Sequence, residues 1–90
     1  MKPALSEQNG RIALEEDHIC FGGMKLTYQL LLNISGGVRH FSVRVLMEKE
    51  SAEADAGYRL PQALDYYHSI LFGAVTPCTL DDVMHDLRSA

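Results

Sequence analysis

Hydrophobic and polar residues alternate through the middle of the chain, from residue 26 to residue 47. Every second residue is apolar over 26–34 and again over 41–47. A period of two predicts β-strands that have one apolar face. The pair Gly36-Gly37 separates the two runs, and glycines tolerate the positive φ of a two-residue type I′ turn. The pattern therefore predicts a β-hairpin.

One register of this hairpin pairs apolar residues with apolar residues. With the two glycines as the loop, Leu32 lies opposite Phe41 and Leu30 lies opposite Val43. A slip by one residue would turn the apolar side chains of one strand toward water. We therefore expect this register. Leu31 then lies on the polar face, where we expect an isolated apolar residue.

A third strand is predicted upstream, before a second Gly-Gly pair. A turn at this pair, Gly22-Gly23, places Ile19 opposite Leu26, on the apolar face. Ile12 and Leu14 then have the wrong parity, unless one residue near Glu15–Asp17 bulges out of the strand. We therefore expect a bulge or a break there, in a three-stranded antiparallel meander.

Two amphipathic helices are predicted after the strands. Residues 48–60 are polar and contain Ala and Gly, so that they are interpreted as a loop. Apolar residues then recur at helical spacing over 60–71, with Pro61 in the first turn and Gly73 at the end. A second apolar stripe, preceded by the cap signature Thr76-Pro77, predicts a helix over 77–88. The capping-box pair Thr79 and Asp82 offers a competing start one turn later.

The order βββαα predicts an α+β fold of two layers. A three-stranded antiparallel meander is covered on one face by two C-terminal helices. Residues 1–9 are polar and have no periodicity, so they are predicted to be a disordered tail. Residues 10–90 are predicted to form a single domain, which agrees with the length of 90 residues.

Charge and composition narrow the classes of function. The chain carries 8 basic and 12 acidic residues, a formal net charge of -4, which argues against binding to nucleic acid or to anionic membranes. No apolar run reaches the roughly 20 residues of a transmembrane helix, and the N-terminus lacks the apolar region of a secretory signal. We therefore expect a cytoplasmic protein with Cys20 and Cys78 reduced.

Acidic residues cluster on the second predicted helix. Asp82 and Asp86 are one turn apart, as are Asp81 and His85. The favoured interpretation is a solvated polar face, and the alternative is a metal site, which would need further ligands from elsewhere. For Asp82 and Asp86, the favoured interpretation is an ion pair with an arginine of the sheet or the first helix. The alternative is a surface that binds a basic segment of another protein.

Three further features belong to the helices. Tyr66 and His68 are predicted to lie on a half-covered flank of the first helix, with Tyr67 in the core, and they are candidates for a partner patch. Cys78 is expected to be a small buried hydrophobic residue.

No nucleotide-binding loop, hydrolase elbow or zinc-protease motif is present. The sequence therefore predicts no catalytic residue, no metal and no cofactor.

The C-terminal residues follow the pattern G-x-V-[ST]-P-x-x-L-x-D-V-x-x-D. The matching residues are Gly73, Val75, Thr76, Pro77, Leu80, Asp82, Val83 and Asp86. This stretch resembles the end of a family of short uncharacterised proteins from Gram-positive bacteria, a domain of unknown function. The hairpin TYQLLLNISGGVRHFSVRVL resembles the middle of that family. The resemblance supports the fold and implies no activity, cofactor or partner.

A small core gains stability from a second copy or a partner. The sequence therefore predicts a non-enzymatic cytoplasmic interaction module that self-associates or binds a protein. The alternative is a small-ligand or metal-binding domain that uses the acidic C-terminal helix.

Overall fold

The computed structural model describes residues 9–89, in which an antiparallel sheet precedes two helices. The elements are β1 (Asn9–Phe21), β2 (Met24–Ser35), β3 (Val38–Met47), β4 (Glu50–Gly57), α1 (Leu60–Phe72) and α2 (Leu80–Ser89), with one 3₁₀ turn at Pro77–Thr79 before α2. The strands lie in the order β1-β2-β3-β4. The predicted α+β class is confirmed, but the sheet has four strands and not three. The predicted tail lies outside the described residues, except for Asn9, which begins β1.

The central hairpin has the predicted turn and register. Gly36 and Gly37 have φ of 58° and 83°, as a type I′ turn requires. Leu32 lies opposite Phe41, and Leu30 lies opposite Val43. The apolar pattern therefore fixed the pairing of β2 with β3 correctly.

The predicted bulge in β1 is present, but it lies earlier than expected. Ile19 lies opposite Leu26 as predicted, and the register shifts between Ala13 and Glu15. Leu14 is thus the residue without a partner in the ladder. The bulge restores the parity of Ile12, which lies opposite Leu32 on the helix side of the sheet.

The fourth strand replaces most of the loop predicted over residues 48–60. Alanines occupy alternate positions of β4, and Ala54 and Ala56 are buried while Asp55 between them is exposed. Alanine is depleted in strands, so its alternation is a weak signal for a strand. Here its short side chain allows the helices to approach the sheet. The prediction of a loop was therefore wrong.

Both helices pack on the same face of the sheet. Tyr28 lies at the centre of this face, and its hydroxyl donates a hydrogen bond to the Val75 carbonyl at 2.9 Å. The strand is thereby joined to the segment between the helices. The completely buried core residues are Leu26, Tyr28, Leu30, Val43, Val45, Ala56, Ala63, Tyr67, Ile70, Leu80 and Met84.

The segment between the helices differs from the prediction in two details. Helix α1 ends before Gly73, as expected, but Ala74 rather than the glycine has positive φ, at 49°. A Cβ on Gly73 would lie 3.3 Å from the Ser69 carbonyl oxygen, so that space rather than φ favours glycine there. Cys78 is exposed and not buried, because the 3₁₀ turn directs Pro77 and Leu80 inward instead.

Replacing Ala56 by leucine tests the role of alanine in β4. We expect Ala56→Leu to lower the free energy of unfolding by about 1–3 kcal/mol, because the larger side chain overpacks a filled core. Urea denaturation measures this loss. The control is Ser51→Leu, on the exposed face of the same strand, which should change stability by less than about 0.5 kcal/mol. Equal effects of the two substitutions would contradict the described packing.

Candidate functional site

The acidic residues of α2 lie on an exposed face of the helix. Asp82, His85 and Asp86 all face solvent. Among residues 9–89 no group of three or more His, Cys, Asp and Glu side chains is arranged to hold a metal ion. In the same range an ion pair joins Arg11 to Glu53, and His18 Nε2 lies 3.0 Å from Glu16 Oε2; neither contact involves α2.

A different residue joins the last helix to the sheet. The Arg88 guanidinium donates a hydrogen bond from Nη1 to the Asp55 carbonyl oxygen at 2.8 Å. We expected an arginine of the sheet or the first helix to reach the carboxylates of α2. Instead, an arginine of α2 reaches the backbone of β4, which the charge pattern alone did not indicate.

Tyr66 and His68 lie on opposite flanks of α1 and do not form one patch. Residues two apart on a helix are separated by about 200°. Gln62 lies on the flank of α1 that faces β4. Its Oε1 is 3.4 Å from the point that a Cβ would occupy at Gly57, the last residue of β4. Tyr66 is on that flank and is partly buried, whereas His68 is exposed on the flank toward β1. Tyr67 between them is completely buried, as predicted.

The flank of α1 toward β1 carries the most exposed apolar side chain among the described residues. Phe72 is 93% exposed, at the last position of the helix. Together with His68 and Leu71 it lines a surface cavity of about 230 Å³. An exposed aromatic ring beside an apolar depression is typical of a surface that another molecule covers.

Strand β1 forms a long free edge of the sheet next to this flank. It has 13 residues and, within residues 9–89, pairs only with β2, while the helices pack on β2, β3 and β4. Its side chains Ile12 and Leu14 are partly exposed to solvent. An edge strand offers unpaired backbone N–H and C=O groups to an added strand.

A hydrogen bond from α1 fixes the middle of β1. The Tyr67 hydroxyl donates to Asp17 Oδ2 at 2.7 Å, and the Tyr28 carbonyl oxygen lies 3.0 Å from the same hydroxyl. Burial raises the pKa of Tyr67 well above its usual range. The hydrogen bond to Asp17 and the negative charges of Asp17, Glu15 and Glu16 raise it further. The ring therefore stays a neutral donor.

The other face of the sheet is a network of polar side chains rather than a row of solvated ones. Asn33 Nδ2 donates to Ser42 Oγ at 2.9 Å, and that hydroxyl donates to Glu53 Oε2, also at 2.9 Å. Glu53 in turn forms an ion pair with Arg11. Leu31 lies on this face opposite Ser42 and is only 4% exposed. We expected Leu31 to be an isolated apolar residue on this face, and in the structure its side chain is buried.

Glu16 belongs to the same polar face. Gln29 Nε2 donates to Glu16 Oε1 at 2.8 Å, and His18 Nε2 lies 3.0 Å from Glu16 Oε2. The hydrogen bond from Gln29, followed by that from His18, lowers the pKa of Glu16. The carboxylate is thus held in its charged form at the edge of the sheet.

Comparison with known proteins adds no assignment to this geometry. A scan against protein-family models, a search of curated proteins and a search of solved structures each find no match to this chain. The family resemblance of the C-terminal motif therefore stays a prediction. In the part of the chain that the structure describes, no helix is long and apolar enough to cross a membrane.

Removing the Tyr67 hydroxyl tests its role in joining α1 to β1. We expect Tyr67→Phe to lower the free energy of unfolding by about 1.5–3 kcal/mol, the usual contribution of a hydrogen bond to a charged group. The matched control is Tyr66→Phe, which removes a hydroxyl from a partly buried ring and should cost less than about 0.5 kcal/mol. Urea denaturation compares the two variants, and similar losses would contradict the described contact.

Alkaline pH should destabilise the protein through its buried tyrosines. Burial raises the pKa of Tyr28 as well as that of Tyr67 above the ordinary value of about 10. A raised pKa means that the folded state holds the proton more tightly. The contribution of these two tyrosines to the free energy of unfolding is therefore complete below about pH 10. It is lost as the pH rises toward the pKa that they have in the folded state.

We expect the free energy of unfolding of the Tyr67→Phe variant to decrease less steeply above about pH 10 than that of the original protein. Urea denaturation over a pH series measures both slopes. Tyrosinate absorbance assigned to the buried rings should appear only together with unfolding. Parallel curves for the two proteins would show that Tyr67 does not contribute.

Proposed function

We propose that this protein is a non-enzymatic interaction module of the cytoplasm, and that its contact surface combines the β1 edge with the Phe72 flank of α1. The observation that carries the proposal is the exposure of Phe72. Burying a phenylalanine side chain gains about 1.5–3 kcal/mol. Aromatic residues are also enriched in interfaces and among their energetically dominant residues.

The construction of β1 supports a role in pairing. Proteins that must avoid pairing keep edge strands short or cover them. This strand is the longest of the sheet, and after the bulge at Leu14 it pairs regularly with β2 from Glu15 to Phe21. The regular half provides a run of edge backbone long enough for an added strand.

Two further observations support parts of the proposal. The free thiols of Cys20 and Cys78 are both exposed, which suits a reducing compartment such as the cytoplasm. In the C-terminal motif, Val75, Pro77 and Leu80 are buried. The pattern shared with the Gram-positive family is thus consistent with a structural role, and we propose membership of that family on this basis.

The alternative of a metal or small-ligand domain on α2 has less support. Asp82, His85 and Asp86 are exposed, and the described residues provide no enclosing group of further ligands. The proposal of no cofactor and no catalytic residue follows the same reasoning, since an active site needs positioned groups in a depression.

Photo-crosslinking in cells that express the protein tests the proposed surface. A benzophenone side chain at position 72 should form a covalent adduct with a protein, either a second copy or another chain. The matched control is the same side chain at Tyr58, which is 71% exposed and follows β4, away from the β1 flank. Absence of a protein adduct at position 72, or equal yields at both positions, would overturn the proposal.

A further inference from the structure

We infer that the β1 edge accepts an extended segment of another protein, with basic residues in one half of the segment and apolar residues in the other. This inference rests on the proposed function and names the chemistry of the partner. A segment added to β1 would continue the sheet about 4.8 Å from that strand, and its side chains would alternate between the two faces.

The basic half follows from the charges of β1. Glu15, Glu16 and Asp17 are consecutive, and the register places Glu15 and Asp17 on the helix side and Glu16 on the other side. Residues opposite them on an added strand would meet a carboxylate on either face. Opposite charges directly across two strands are stabilising, whereas like charges are destabilising.

The apolar half follows from the direction of α1. The helix begins after Gly57, which lies opposite Phe41, and its Tyr67 reaches Asp17. Phe72 is five residues further, about 7.5 Å along the axis. The exposed ring therefore lies toward the end of β1 that contains Ile19, beyond the acidic residues. Apolar side chains of the segment would pack there.

A second copy of this chain fits the same edge less well. Antiparallel pairing across the middle of β1 would bring two runs of three carboxylates together, and each chain carries a net charge of -4. The repulsion at the centre of such a pair opposes the gain from burying Phe72. Charge complementarity thus favours a partner of opposite sign.

The inference is tested with a labelled synthetic peptide of about ten residues, the length of an ordinary strand. One half is a run of lysines and the other alternates valine and threonine, and both sequence directions are synthesised because either orientation can pair. The control peptide carries glutamate in place of lysine. Fluorescence anisotropy measures the affinity for the full chain at low and at high salt.

We expect one of the lysine peptides to bind about tenfold more tightly than the glutamate peptide, and added salt to reduce the difference. The double variant Glu15→Gln/Glu16→Gln should weaken the binding roughly threefold to tenfold, since exposed ion pairs each contribute a modest amount. The control is Asp82→Asn/Asp86→Asn, which removes the same charge from α2 and should leave the affinity unchanged.

Backbone pairing has a separate signature that needs no variant of the protein. Peptides methylated on the backbone nitrogens of odd or of even residues should differ, because only one set of N–H groups faces β1. One pattern should abolish binding and the other should preserve it. Equal effects of both patterns would exclude strand addition.

The remaining outcomes separate this inference from the proposed function. Equal binding of the lysine and glutamate peptides, or equal weakening by the β1 and α2 variants, would overturn the inference. If position 72 still crosslinks to a protein, the interaction surface stands and its partner has different chemistry. A crosslinked adduct that is a second copy of this chain would assign the edge to self-association instead.

Discussion

The apolar face shared by β2 and β3 must be kept from water, and this requirement organises the molecule. Tyr28 and Leu30 on one strand and Val43 and Val45 on the other are completely buried. Each buried side chain of this size contributes about 1.5–3 kcal/mol. A shift of the register by one residue would expose all the apolar side chains of one strand to water. The Gly-Gly turn, the bulge in β1 and the position of α1 are all compatible with this one pairing.

Covering that face with a short helix has a consequence for the surface. Helix α1 spans 13 residues and buries one stripe, which contains Ala63, Tyr67 and Ile70. It does not cover β1, to which it is joined by the Tyr67 hydroxyl. The same placement leaves Phe72 outside the core, beside an uncovered strand. The proposed interaction surface is thus a direct result of how the core is closed.

The charges of β1 combine protection with selectivity. A bulge and a run of carboxylates both discourage indiscriminate pairing of an edge strand. Neither feature blocks pairing completely. The bulge leaves the half of β1 from Glu15 to Phe21 regular, and the carboxylates repel only segments that are also negatively charged. The edge that we propose would discourage copies of itself and would admit a basic segment, so that specificity would come from excluding the wrong partner.

Local patterns in the sequence were sufficient for the elements whose signal lies within a few residues. The alternation around Gly36-Gly37 determined a hairpin and its register, and the apolar stripes determined two helices. The strand β4 was missed because alanine is depleted in strands and the other residues of the segment are mostly polar. Its place in a sheet depends on the helices that pack on it, and these are distant in sequence.

The candidate site shows the same division more clearly. Composition and spacing directed attention to the acidic α2 and to Tyr66 with His68, whereas the surface that we propose combines β1 with Phe72. The sequence by itself determined which faces are apolar and that no familiar catalytic motif is present. Only the tertiary structure decided which apolar residues stay exposed and which edge strand the helices leave uncovered, because both depend on where the helices cross the sheet.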